Sequence, residues 1–145
     1  MWVAEMMVVM GQTQSDGVGG AGALIVVIED EAIVLAGYEM LFESWGYRVV
    51  AAQSAAEALA QLAQDHLCPN FILADFRLRD GKTGTDAISA LRQTYGAEIP
   101  GVVVTGDTTV TVDGLRVAAA EGMTILHKPV NGRQLQEILD TSLGT

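Results

Sequence analysis

The sequence predicts an α/β fold: a doubly wound, five-stranded parallel sheet with helices on both faces. Three observations carry that prediction. Short apolar runs rich in β-branched residues alternate with longer segments of helical period, and five of each fit between residues 23 and 143. Polar residues collect just after the runs, where an open parallel sheet binds its ligands.

The first run, ALIVVI (23–28), is apolar throughout and too short for a helix, which marks a strand buried on both faces; the later runs read the same way. A helix follows from Ala32 to Trp45. Its period places Ile33, Ala36, Gly37, Met40, Leu41 and Trp45 on one apolar face, with Glu39 and Glu43 elsewhere. YRVVAA (47–52) is the second strand, and Ser54-Ala-Ala-Glu57 is a capping box that opens a helix from Ala55 to Gln64. NFILAD (70–75) is the third strand, joined by a long loop to a helix over Thr85 to Thr94 that begins at Gly84. GVVVT (101–105) is the fourth. The helical segment around Thr109 to Glu121 is weak, because Thr108 to Asp113 is rich in β-branched residues, and its first turn is expected to be irregular. MTILH (123–127) and a helix from Gly132 to Leu143 complete the pattern. Gly46, Gly96 and Gly122 stand where left-handed helix C-caps are wanted.

A chain of 145 residues is long enough for one domain with a real core. Residues 11–22, GQTQSDGVGGAG, lack any period and read as a linker, so residues 1–22 form an N-terminal extension and 23–145 the domain. The net charge of -10 repels phosphate backbones, which argues against direct nucleic-acid binding. No apolar run approaches the roughly 20 residues that span a bilayer, so no membrane insertion is expected. The single cysteine, Cys68, has no internal disulfide partner, and the first ten residues lack the pattern of a secretory signal; a cytoplasmic setting fits.

The strand ends hold the chemistry. In order they carry Glu29-Asp30-Glu31, Asp75, Thr105-Gly106-Asp107 and Lys128-Pro129, while the second ends in the plain Gln53-Ser54. Three acids brought to one edge repel one another unless a cation balances them. The candidate ligands are all oxygens, which points to a hard ion such as Mg²⁺ or Mn²⁺.

Through IEDE, ILADFRLRDG, VVTGD and HKPV, in this order at strand ends, the chain resembles the receiver domains of two-component signalling, over residues 23–143. The resemblance implies a flavodoxin-like receiver topology. It makes Asp75 the phosphoacceptor, and Glu29 and Asp30 the acidic pair that holds Mg²⁺ together with the Arg77 backbone carbonyl. Thr105 becomes the hydroxyl that bonds a phosphoryl oxygen, Lys128 the ammonium that pairs with another, and the Lys128–Pro129 peptide is expected to be cis. The implied partner is a histidine kinase or a histidine phosphotransfer domain. DFRLRDGKTG and LHKPV look like receivers at the C-terminus of hybrid sensor histidine kinases, and the glycine-rich entry fits a tether to one. A homodimer is left open as a second association.

The chain departs from the common receiver pattern in two places. It lacks a Met-Pro pair after the phosphoacceptor, and Ile125 stands where an aromatic residue usually precedes the lysine by three positions. A switch driven by burial of that ring is therefore not expected. Gly106 leaves room beside Thr105 for a donor, and an Arg77–Asp107 ion pair is expected to cover the phosphoryl group and slow its hydrolysis.

Each residue also has a plainer reading. On their own, Glu29-Asp30-Glu31 are compatible with a helix cap and Thr105 with an ordinary strand end. His127 is expected to be structural, His66 to be solvated, and Cys68 to have no role. Two other functions compete: an Mg²⁺-dependent phosphohydrolase with an aspartate nucleophile, and a non-phosphorylated pseudo-receiver that only binds. The first places two aspartates one residue apart after the first strand, and this chain does not. The second loses an acid or the lysine, and none is missing here.

Overall fold

The structure is a computed structural model that describes residues 22–106, 116 and 118–144. Its strands are β1 (Leu24–Ile28), β2 (Arg48–Ala52), β3 (Phe71–Asp75), β4 (Gly101–Thr105) and β5 (Thr124–His127). They form one parallel sheet in the order β2-β1-β3-β4-β5. The helices α1 (Ala32–Ser44), α2 (Ala55–Gln64), α3 (Gly84–Tyr95) and the C-terminal helix (Gly132–Leu143) alternate with them. Residues 116 and 118–120 are helical, in the segment where a further helix is expected. The irregular turn expected over Thr108 to Asp113 lies outside the described residues, as do Asp107 and the extension up to residue 21.

Side chains that alternate along each strand feed two separate cores. Leu24, Val26 and Ile28 of β1, with Ile72 and Ala74 of β3, pack under Ala58 and Leu62 of α2 and Ala87, Ile88 and Leu91 of α3. Ile25 and Val27, with Phe71 and Leu73, pack on the opposite face under Phe42 of α1 and Leu135 and Leu139 of the C-terminal helix. Side-chain caps start α2, α3 and the C-terminal helix, whereas α1 has none. Ser54 accepts from the Glu57 N–H at 3.1 Å, one half of the expected capping box, while Glu57 accepts at 2.9 Å from the Gln53 N–H, one residue before the N-cap amide that completes such a box. Thr83 and Asn131 cap α3 and the C-terminal helix by accepting from the Asp86 and Gln134 N–H groups.

Four expectations need correction. The buried face of α1 is Leu35, Tyr38, Leu41, Phe42 and Trp45, whereas Ile33 and Met40 are 88% and 71% exposed, and Ala36 and Gly37 also face outward. Aromatic area decides the rotation: Phe42 stacks on Tyr38 and meets the Trp45 ring edge-on, at centroid distances of 6.1 and 5.9 Å. Burial on both faces holds for β1 and β4 but fails at the sheet edges, where Arg48, Thr124 and His127 are exposed. His127 is therefore a surface residue, as His66 is. Among the glycines, Gly46 and Gly122 take left-handed φ, but Gly96 has φ 147 and ψ 132 and does not cap α3 in that way.

Candidate functional site

Backbone ladders carry the sheet register past the strand ends to the polar residues. Glu29 N–H donates to the Ala52 carbonyl at 3.0 Å, Phe76 N–H to Val104 at 2.8 Å, and Lys128 N–H to Thr105 at 2.8 Å. Asp75 closes β3 in register with Val104. The Lys128–Pro129 peptide is cis, as the resemblance implies. Behind Asp75, the Gly84 N–H donates to the Phe76 carbonyl at 2.9 Å, and a Cβ on Gly84 would collide with the Asp75 carbonyl. Glycine is what lets α3 begin directly against the end of β3.

Lys128 Nζ lies 2.8 Å from Asp75 Oδ1 and 3.8 Å from Glu29 Oε1. Burial pulls the lysine pKa down, but the hydrogen bond and charge of Asp75, with the charge of Glu29, outweigh it and hold the ammonium above its ordinary value. Glu29 is 2% exposed. Burial foremost pushes its carboxyl up to about 7; the Glu31 N–H, bonded to Oε2 at 3.2 Å, works against this, while the charge of Asp75 and a hydrogen bond with Asp30 add to it. Its other oxygen, Oε1, is buried without a hydrogen-bond partner. The helix-cap reading of the acidic run gains nothing, because Glu31 at the N-cap of α1 makes no side-chain cap bond.

Asp75, Phe76, Arg77, Thr105, Gly106 and Lys128 line one cleft of about 310 Å³. Thr105 is 2% exposed at its floor. The space left by Gly106 is taken up by the lysine stem, since a Cβ there would stand 3.2 Å from Lys128 Cδ. Ile125 packs half-buried against the core on the α2/α3 side. The partner proposed for Arg77, Asp107, lies outside the described residues.

Two side chains near the acids were not singled out from the sequence. Gln53 Nε2 donates to the Asp30 carbonyl at 2.9 Å, so the end of β2 takes part after all. Arg79 Nε lies 3.8 Å from Asp30 Oδ2, and its Nη2 donates to the same carbonyl at 3.4 Å. The signal for Arg79 was Asp80-Gly81, a dipeptide that favours type I′ hairpin turns. Asp80 (φ 61, ψ 33) and Gly81 (φ 72) both take positive φ, Lys82 N–H donates to the Arg79 carbonyl at 3.2 Å, and Arg77 bridges Thr83 in antiparallel fashion.

An all-oxygen donor set with an unbonded, buried carboxylate oxygen suits a hard divalent cation. As folded, however, no three His, Cys, Asp or Glu side chains among the described residues converge closely enough to cage an ion. Lys128 and Arg79 hold Asp75 and Asp30 instead.

A parallel five-stranded sheet with an acid at the end of its central strand, a lysine against it and an acidic pair alongside defines a class, and the comparisons agree with it. The response regulator receiver domain profile matches residues 25–140, and the chain belongs to that family, the receiver domains of two-component signalling. The phyllosphere-induced regulator PhyR of Methylorubrum extorquens is 28% identical over 119 residues, covering 82% of this chain and 43% of that protein. Transcriptional regulatory protein ZraR of Salmonella typhimurium is 28% identical over 123 residues, covering 82% of this chain and 26% of that protein. The chain thus spans less than half the length of either relative. The CheY-like receiver domain protein of Methanospirillum hungatei superposes with a TM-score of 0.73 at 25% identity, covering 86% of this chain and 95% of that one. No helix among the described residues is long and apolar enough to cross a membrane.

Proposed function

We propose that this receiver accepts a phosphoryl group on Asp75 from a phosphohistidine of a partner protein, a histidine kinase or histidine phosphotransfer domain, and so changes which partners it binds. The observation that carries the reading is Lys128 Nζ at 2.8 Å from Asp75 Oδ1 on the wall of a cleft floored by Thr105. An Asp75 oxygen attacks phosphorus, the P–N bond to the imidazole breaks, and the leaving imidazole takes a proton from solvent. The product is an acyl phosphate. Lys128, already charged beside Asp75, moves its ammonium onto a phosphoryl oxygen, and the Thr105 hydroxyl donates to another. Glu29, Asp30, Asp75 and the Arg77 carbonyl would hold Mg²⁺ or Mn²⁺. Bound there, the cation supplies the positive charge that an anionic nucleophile and an anionic donor require.

The motifs DFRLRDGKTG and LHKPV and the glycine-rich stretch at 11–22 support a place at the C-terminus of a hybrid sensor histidine kinase in the cytoplasm. The test is intact-mass measurement after incubation with acetyl phosphate. One phosphoryl group should be gained with Mg²⁺, none with EDTA, and none by Asp75→Asn. Failure of the wild-type protein to gain it would favour the pseudo-receiver that only binds.

A further inference from the structure

The loop from Phe76 to Thr83 reaches back over the acidic pair, and its contact there is built to be exchanged. The Asp80-Gly81 turn and the Arg77–Thr83 bridge fix the backbone of Arg79, whose guanidinium extends to Asp30. Lys128 is committed to Asp75 and Glu29, so Arg79 brings a positive charge to the remaining acid. We propose that Arg79 is the chain's own counter-ion for Asp30, held there until a divalent cation binds, so that cation binding and release of the Arg79 guanidinium are one linked event. This rests on the cation reading above.

Two features make the exchange easy. The Arg79 side chain is 72% exposed, so it returns to water with little change in solvation. The Asp30 carbonyl keeps its shorter bond from Gln53 when Arg79 leaves, so no buried acceptor is orphaned. Release also has a place to be felt. Arg79 and its hairpin neighbours Leu78, Asp80 and Lys82 line a groove of about 370 Å³ against Ala55 of α2 and Ala87 of α3. Cation occupancy at Asp30 therefore reshapes the mouth of the groove between α2 and α3, which Arg79 lines.

The experiment is a Mn²⁺ titration followed by the electron paramagnetic resonance of free Mn²⁺, on wild type, Arg79→Ala, Arg79→Lys and Arg48→Ala. Arg48 begins β2 at the opposite end of the sheet and controls for the change in net charge. Arg79→Ala should bind Mn²⁺ roughly 1.5- to 5-fold more tightly, the range expected for loss of an exposed ion pair. Arg79→Lys should return affinity towards wild type, and added NaCl should narrow the gap. Equal affinity of wild type and Arg79→Ala, weaker binding by Arg79→Ala, or an equal gain in Arg48→Ala would each overturn the proposal while leaving the cation site standing. No Mn²⁺ binding by wild type would remove both.

Discussion

Replacing Glu29 by Gln isolates the electrostatic cost of assembling this site. The carboxyl is buried with one oxygen unbonded, and burial beside Asp75 raises its pKa from 4.5 to about 7. Between those two values the folded protein keeps a proton that the unfolded chain has released, so the contribution of Glu29 to cation-free stability is fully present below about pH 4.5 and is lost as pH rises through about 7. That interval sets a ceiling on the order of 3 kcal/mol, and coupling to Asp75 and Lys128 brings the expected loss to ~1–3 kcal/mol. Gln keeps the shape and the acceptor for the Glu31 N–H but carries no charge. In EDTA, Glu29→Gln should match wild type near pH 5 and exceed its stability by ~1–3 kcal/mol near pH 8. Urea unfolding followed by circular dichroism across that range is the assay. Mg²⁺ should stabilise wild type at the alkaline end more than it stabilises the variant. Parallel pH profiles for the two proteins would refute the reasoning.

Other consequences follow from particular contacts. Lys128→Met removes the ammonium beside Asp75, and single-turnover phosphorylation by acetyl phosphate should slow by on the order of 10²-fold with the fold retained. Gly84→Ala forces a methyl group against the Asp75 carbonyl, so urea unfolding should report a loss of ~1–3 kcal/mol and phosphorylation should fall as the end of β3 shifts. Phe42→Ala should cost ~3–5 kcal/mol, while the double variant Ile33→Ser, Met40→Ser should stay within about 1 kcal/mol of wild type. Thermal or urea unfolding distinguishes the two, and a reversed order would mean that α1 is turned the other way.

The strand ends were legible because the runs before them are short and mostly apolar; once β1, β3, β4 and β5 lie side by side, Glu29, Asp30, Asp75, Thr105 and Lys128 are brought to one edge of the sheet. The Ser54 cap was legible for a similar reason, since its bond from Glu57 and the bond from Gln53 to Glu57 are both local. The face of α1 was not. Ala32 to Ala36 is apolar at five consecutive positions, so period alone leaves the rotation open, and tertiary burial of Phe42 against the sheet settles it. Arg79 and Gln53 escaped notice because their partner is a backbone carbonyl 49 and 23 residues away, reached only after the loops fold. The role of Gly84 is likewise a matter of packing, visible only when α3 is laid against Asp75.

The central claim is chemical: a phosphoryl group becomes an acyl phosphate on one aspartate. Borohydride reduces an acyl phosphate to the alcohol, converting that aspartate to homoserine, and peptide mapping by tandem mass spectrometry locates it. After reaction with acetyl phosphate and Mg²⁺, the account predicts homoserine at position 75 alone, and none when Mg²⁺ is withheld. Homoserine at another acid, or an unmodified position 75 in protein that has gained a phosphoryl group, would contradict it.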